Sequence, residues 1–112
     1  MTDKRGIYGV ELRYALTFYL FQHGPQTVAE LIEALEYQGF AIAGRASKSV
    51  SDALRWEMAH GRVRRLNRGR YGPNEMPRGT EHRIRTRVLA LRAEAQKITG
   101  RDDDSFWESL GA

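Results

Sequence analysis

Five arginines stand within nine residues of this 112-residue chain, Arg62, Arg64, Arg65, Arg68 and Arg70. Each guanidinium can grip a phosphate through two parallel N–H donors. Such a density of like charge repels itself unless an anion lies nearby. A charged hairpin can also serve only to keep a sheet edge from aggregating, but one or two charges suffice for that. Upstream, Lys48, Ser51 and Arg55 fall together on one side of any helix through residues 47–60. Arg55 suits the O6 and N7 of a guanine, while Lys48 and the hydroxyls of Ser47, Ser49 and Ser51 suit phosphate oxygens near a positive helix N-terminus. The plain alternative for Lys48 and Arg55 is a solvated helix face.

Two elements must position these groups. Val63, Leu66 and Tyr71 supply apolar anchors for a hairpin around Asn67, Arg68 and Gly69, a tip that tolerates positive φ. The helix before it is expected to begin near Ser47 or Ser49, with Ser49 and Asp52 as a loose capping box, and to end at Gly61. Its inner stripe reads Val50, Ala53, Leu54 and Met58, with a gap where Glu57 stands. Either the helix rotates so that Trp56 and Met58 fill the core, or Glu57 sits at the core edge near an arginine such as Arg65.

The rest of the chain supplies the frame. Residues 1–8 are expected as a flexible lead. A first helix over 9–22 is closed by His23, Gly24 and Pro25, and is apolar on two sides, with Leu12, Leu16, Tyr19 and Leu20 on one and Tyr14, Phe18 and Phe21 on the other. Thr27 and Glu30 form a capping box opening a second helix that buries Val28, Leu31, Ile32 and Leu35 and ends near Gly39. Residues 40–46 turn at Gly44. After a linker at 73–79, a last helix over 80–98 carries Ile84, Val88, Leu91, Ala95 and Ile98, a narrow seam for packing lengthwise on the first helix of its own chain or of a partner. The final residues, 100–112, hold Asp102, Asp103 and Asp104, a capping-box pair at Ser105 and Glu108, and the aromatic Phe106 and Trp107 with Leu110. This tail is expected to dock on the domain or to meet a protein partner.

The net charge of +4 hides a sharper distribution. Residues 41–92 hold 13 Lys and Arg against 4 Asp and Glu, whereas residues 1–40 hold 3 against 5 and residues 93–112 hold 2 against 5. The basic charge lies in the capped helix, the hairpin and the start of the last helix, the footprint expected on a polyanion. With no cysteine there is no disulfide or thiolate zinc site, and His23, His60 and His82 are too far apart in sequence to suggest a metal site. No run reaches the ~18 apolar residues of a membrane span, and the N-terminus lacks a signal-type apolar run. The chain is expected to be soluble and cytoplasmic, near the nucleoid. No glycine-rich phosphate loop or nucleophile elbow is present, so neither an enzyme nor a cofactor is expected.

The order of a second helix, a serine-rich third helix and a basic hairpin, ASKSVSDALRWEMAHGRVRRLNRGRYGP over residues 46–73, resembles the bacterial members of the winged helix-turn-helix superfamily. The resemblance covers residues 27–73, and the first helix is consistent with it. It implies a mainly helical α+β fold with a small hairpin, a winged helix-turn-helix domain over 9–73 followed by a linker and C-terminal helix over 74–99. It further implies binding of double-stranded DNA through Ser47, Lys48, Ser49, Ser51, Arg55, Arg64, Arg65, Arg68 and Arg70. Glu57 departs from the aliphatic residue usual there. A homodimer through the first and last helices would favour a roughly palindromic site. The rival function is a protein-interaction module using the aromatic first helix or the tail. An effector pocket among Tyr14, Phe18, Tyr19 and Phe21 is the weaker reading of residues that serve equally as core.

Overall fold

Thr27 and Glu30 form the reciprocal cap that their spacing predicts. The Glu30 N–H donates to the Thr27 hydroxyl at 3.1 Å, and the Thr27 N–H donates to Glu30 Oε1 at 2.8 Å. This starts α2 (Val28–Tyr37), which buries Leu31 and Leu35. The computed structural model describes residues 3–100. Around α2 it places β1 (Arg5–Ile7), α1 (Gly9–His23), β2 (Gln26–Thr27), β3 (Phe40–Ile42), α3 (Ala46–Ala59), β4 (Val63–Arg65), β5 (Arg70–Pro73) and α4 (Arg78–Thr99). The fold is α+β and mainly helical.

The two-sided apolarity of α1 is satisfied on both sides. Leu12, Leu16 and Leu20 join Leu31, Leu35, Phe40, Val50 and Leu54 in the main core, while Phe18 packs with Ile84 and Val88 of α4. The α4 seam therefore lies on α1 of the same chain, with Leu91 and Ala95 reaching into the main core. Ile98, expected as the last seam residue, is 46% exposed. A straight helix drifts away from a strict 4,3 repeat, and the next inward position after Ala95 is Thr99. A Cβ built on Gly39 would stand 3.0 Å from Thr99 Cγ2 and 3.3 Å from the Ala95 Cβ, and Gly39 has φ +98°, so both space and backbone call for glycine there.

Residues 5–7 depart from the flexible lead expected over 1–8. Residues 5–7 form β1, paired in parallel with β3 so that Ile7 stands opposite Ile42, and Ile7 is fully buried. Arg5 then ties this strand to both long helices. It donates to Glu11 at 2.5 Å and lies 3.0 Å from Glu94, while Arg87 reaches the other oxygen of Glu11 at 2.7 Å. The hydrogen bond from Arg5, reinforced by Arg87, holds the Glu11 carboxyl below the usual glutamate range. A carboxylate so lowered contributes stability that is whole above its unfolded value of about 4.3 and is lost as pH falls through the lower folded value. Glu11→Gln should therefore destabilise the fold at pH 7 and much less at pH 3. Denaturant midpoints at the two pH values check this, and an equal deficit at both would contradict it.

The remaining sheet is antiparallel, in the order β2–β5–β4. Tyr71 of β5 pairs with Gln26 on one side and Arg65 on the other, so the hairpin is fastened to the residues that cap α2.

Candidate nucleic-acid interface

Left-handed backbone makes the hairpin tip. Arg68 has φ 63° and Gly69 φ 72°, and the Leu66 N–H donates to the Arg70 carbonyl at 2.7 Å to close the turn. Val63 is buried, Tyr71 packs against the main core, and Leu66 folds over Gly72, where an added Cβ would stand 3.1 Å from Leu66 Cδ1. With its apolar residues facing inward, the hairpin leaves Arg64, Arg65, Arg68 and Arg70 exposed. Arg70 lies 3.4 Å from Glu30. Arg64, Arg65 and Arg68 have no acidic partner among the described residues.

The fifth arginine has a different task. Glu57 is fully buried and takes three donors: the Thr17 hydroxyl at 2.6 Å, Arg62 Nη2 at 2.5 Å and Arg62 Nε at 3.2 Å. Its partner is thus Arg62, not Arg65, and α3 does not rotate to bury Trp56. A carboxylate fits in the apolar stripe because every charge-bearing oxygen is met by a donor. The backbone adds to the joint. Arg62 N–H donates to the Glu57 carbonyl, Asn74 N–H donates to the Arg62 carbonyl, and the Asn74 side-chain amide donates to the Gly61 carbonyl. The end of α3 and the base of the hairpin are therefore fixed to each other through Glu57 and Arg62, and to α1 through Thr17.

The start of α3 also differs from the expectation. The helix begins at Ala46 after Arg45, without a side-chain cap, rather than at Ser47 or Ser49. Gly44, at φ 74°, makes the turn. Ser49 lies inside the first turns, and its hydroxyl donates to the Ala43 carbonyl at 2.8 Å, six residues back and ahead of the helix, which ties the Gly44 turn to the first turn of α3. That hydroxyl proton is committed to the fold. Ser47 and Lys48 are exposed and Ser51 is half-buried.

On the outer face of α3, Asp52 lies between the two cations. Lys48 Nζ is 2.8 Å from one of its oxygens and Arg55 Nη1 is 3.3 Å from the other. The Lys48 hydrogen bond is the main cause holding the Asp52 carboxyl below its usual range. Asp52, expected only as the far member of a loose capping box, is thus part of this face, and its spacing of four from Lys48 and three from Arg55 is that of helical ion pairs. Asp52 therefore holds both cations on the outer face of α3.

Trp56 was also missed as a surface element. It is 38% exposed, stacked on His60 at 3.6 Å between ring centroids, with the Arg13 guanidinium 4.0 Å from its ring. Tyr8, Arg13, Asp52 and Trp56 line a groove of about 330 Å³ between the start of α1 and α3. Arg45, exposed at the N-cap of α3, is another cation beside the face. Farther away, Arg87 is bound to Glu11, and Arg92 is half-buried over Phe18, where desolvation lowers its pKa. The last helix thus contributes less free charge than its sequence suggests.

No protein-family model, curated protein or solved structure matches this chain. Among the described residues no three His, Asp or Glu side chains are grouped to hold a metal ion, and no helix is long and apolar enough to cross a membrane. The aromatic residues of α1 do not gather into one pocket. Phe18 and Tyr14 pack under α4, Tyr19 lines a groove beside α2, and Phe21 lines a separate depression near Met76. Phe18 is therefore not available to a protein partner. The acidic and aromatic tail lies outside the described residues.

Proposed function

We propose that this chain is a winged helix-turn-helix protein that binds double-stranded DNA, acting as a transcriptional regulator or a nucleoid-associated protein, with α3 in the major groove and the hairpin on the backbone. The observation that carries this reading is a set of exposed arginines, Arg64, Arg65 and Arg68, with no acidic partner among the described residues, on a hairpin locked to the helix that exposes Lys48 and Arg55. Three helices followed by a hairpin, with a short strand between the first two helices pairing to it, support this reading. In this reading the protein performs no catalysis and needs no cofactor. Phosphates are neutralised by Lys48, Arg64, Arg65, Arg68 and Arg70 with help from Ser47 and Ser51, and bases are read by Arg55. Ser49 acts through its backbone and its fixed turn. A homodimer on a two-fold symmetric site belongs to the same proposal, with its contact outside the α4 seam already covered by α1.

Fluorescence anisotropy of a labelled generic duplex, titrated at several salt concentrations, tests the reading. Binding that weakens steeply with salt is expected, and absence of binding even at low salt overturns it, passing the basic face to a protein partner. Within a DNA-binding outcome, two single variants separate the roles. Arg55→Ala should lose about 1–3 kcal/mol of discrimination at one base pair, whereas Arg68→Ala should weaken all duplexes alike. Equal loss on every sequence for Arg55→Ala would remove it from base reading. RNA recognition by base stacking is disfavoured by Trp56, whose ring is already stacked on His60 and approached by Arg13.

A further inference from the structure

On the side of α2 beside the end of α1, a groove of about 550 Å³ is lined by Tyr19, His23, Glu30, Glu33, Tyr37 and Gln38. We propose that this groove binds a small organic cation, an alkylamine or guanidinium compound, independently of any nucleic acid.

Tyr19 and His23, one helical turn apart, put their ring centroids 4.3 Å from each other and form an aromatic wall, and Tyr37, 75% exposed, stands at the other end of the lining. Aromatic faces are negative and attract ammonium and guanidinium groups, most strongly where water is partly excluded. Two carboxylates add net negative charge. Glu30 is already held by the Thr27 N–H and faces Arg70. Glu33 has no ion pair among the described residues, so it supplies the free charge. Gln38 adds a neutral amide at the Tyr37 end of the lining. No Lys or Arg lines the groove. An anion would be repelled, a neutral molecule would leave Glu33 uncompensated, and a cation carrying N–H donors answers Glu33 and the rings together.

The test is an amide-resolved NMR titration of the full chain, without DNA, using 1,4-diaminobutane as the probe and 1,4-butanediol as its neutral counterpart. The diamine is expected to give saturable shifts confined to amides around residues 19–23 and 33–38, with affinity reduced at least tenfold in Glu33→Gln and at least threefold in Tyr37→Ala. The diol should give none. Both substituted side chains are exposed, so the fold is retained, and unchanged amide spectra elsewhere will verify it. Three outcomes each overturn the proposal: no saturation by about 10 mM diamine, equal shifts from the diol, or unaltered affinity in Glu33→Gln. Because no duplex is present, a failure here is distinct from a failure of the DNA-binding reading.

Discussion

Glu57→Ala should destabilise this protein more than any other single change at a charged residue, by about 3 kcal/mol. Removing one member of a buried ion pair leaves the other uncompensated, a loss that runs to about 3–5 kcal/mol. The lower end applies because Arg62 keeps 17% of its side chain exposed and can recover part of its hydration. The alanine also leaves a cavity and strips the Thr17 hydroxyl of its acceptor. Against the roughly 5–15 kcal/mol that stabilises a domain, this is a large fraction, and it should lower the melting temperature by roughly 10 °C or more. The control is the double variant Glu57→Leu with Arg62→Met, which replaces the pair by apolar volume and should recover most of the stability, since buried pairs compare poorly with well-packed hydrophobic residues. Denaturant midpoints of the wild type, the alanine variant and the double variant check this. A loss below about 1 kcal/mol in Glu57→Ala would mean that the pair contributes little. If the pair also fixes the hairpin to α3, amide exchange at position 62 and at Asn74 should be faster in the stable double variant than in the wild type.

The same pair shows why the sequence was readable only in part. The α2 cap was legible because both partners lie within four residues, and so was the end of α1, where Gly24 at φ 82° returns its N–H to the Leu20 carbonyl. The anomaly of Glu57 was visible as a gap in an apolar stripe, but its resolution depends on Thr17, forty positions away, and on Arg62, one of five similar arginines within nine residues. Spacing could not separate the one structural guanidinium from four exposed ones. Three-residue strands give no periodicity to read, so the β1–β3 pairing across 35 positions went unseen and its first strand looked like a loose end. The start of α3 was misplaced for a related reason. A left-handed Gly44 set the boundary, and the serines taken as caps lie inside the helix. On the outer face the cations were legible as types, whereas their engagement by Asp52 required attention to an acid that the count of positive charge had treated as a small subtraction.

Replacing Arg64, Arg65, Arg68 and Arg70 together by alanine should then produce the largest effect on binding with almost none on the fold. Three of the four have no acidic partner among the described residues, and the fourth faces Glu30 across an exposed 3.4 Å contact, so little stability is held there. Alanine at position 68 carries the same left-handed backbone penalty as arginine, which leaves the hairpin tip unchanged in that respect. If α3 and the hairpin neutralise about six phosphates, the logarithm of affinity falls with the logarithm of salt at a slope near −5. Removing four contacts should bring the slope to about −2 and weaken binding at moderate salt by at least about a hundredfold, taking roughly 1 kcal/mol per lost charged contact under screening. Slope and affinity must change together. A variant that binds weakly while keeping the wild-type slope would show that the hairpin arginines shape the interface without releasing counterions. A variant that binds as tightly as the wild type would move the DNA contact to α3, Arg45 and the Arg13–Trp56 edge. Circular dichroism and the denaturant midpoint, both expected unchanged, tie any loss to charge rather than to folding.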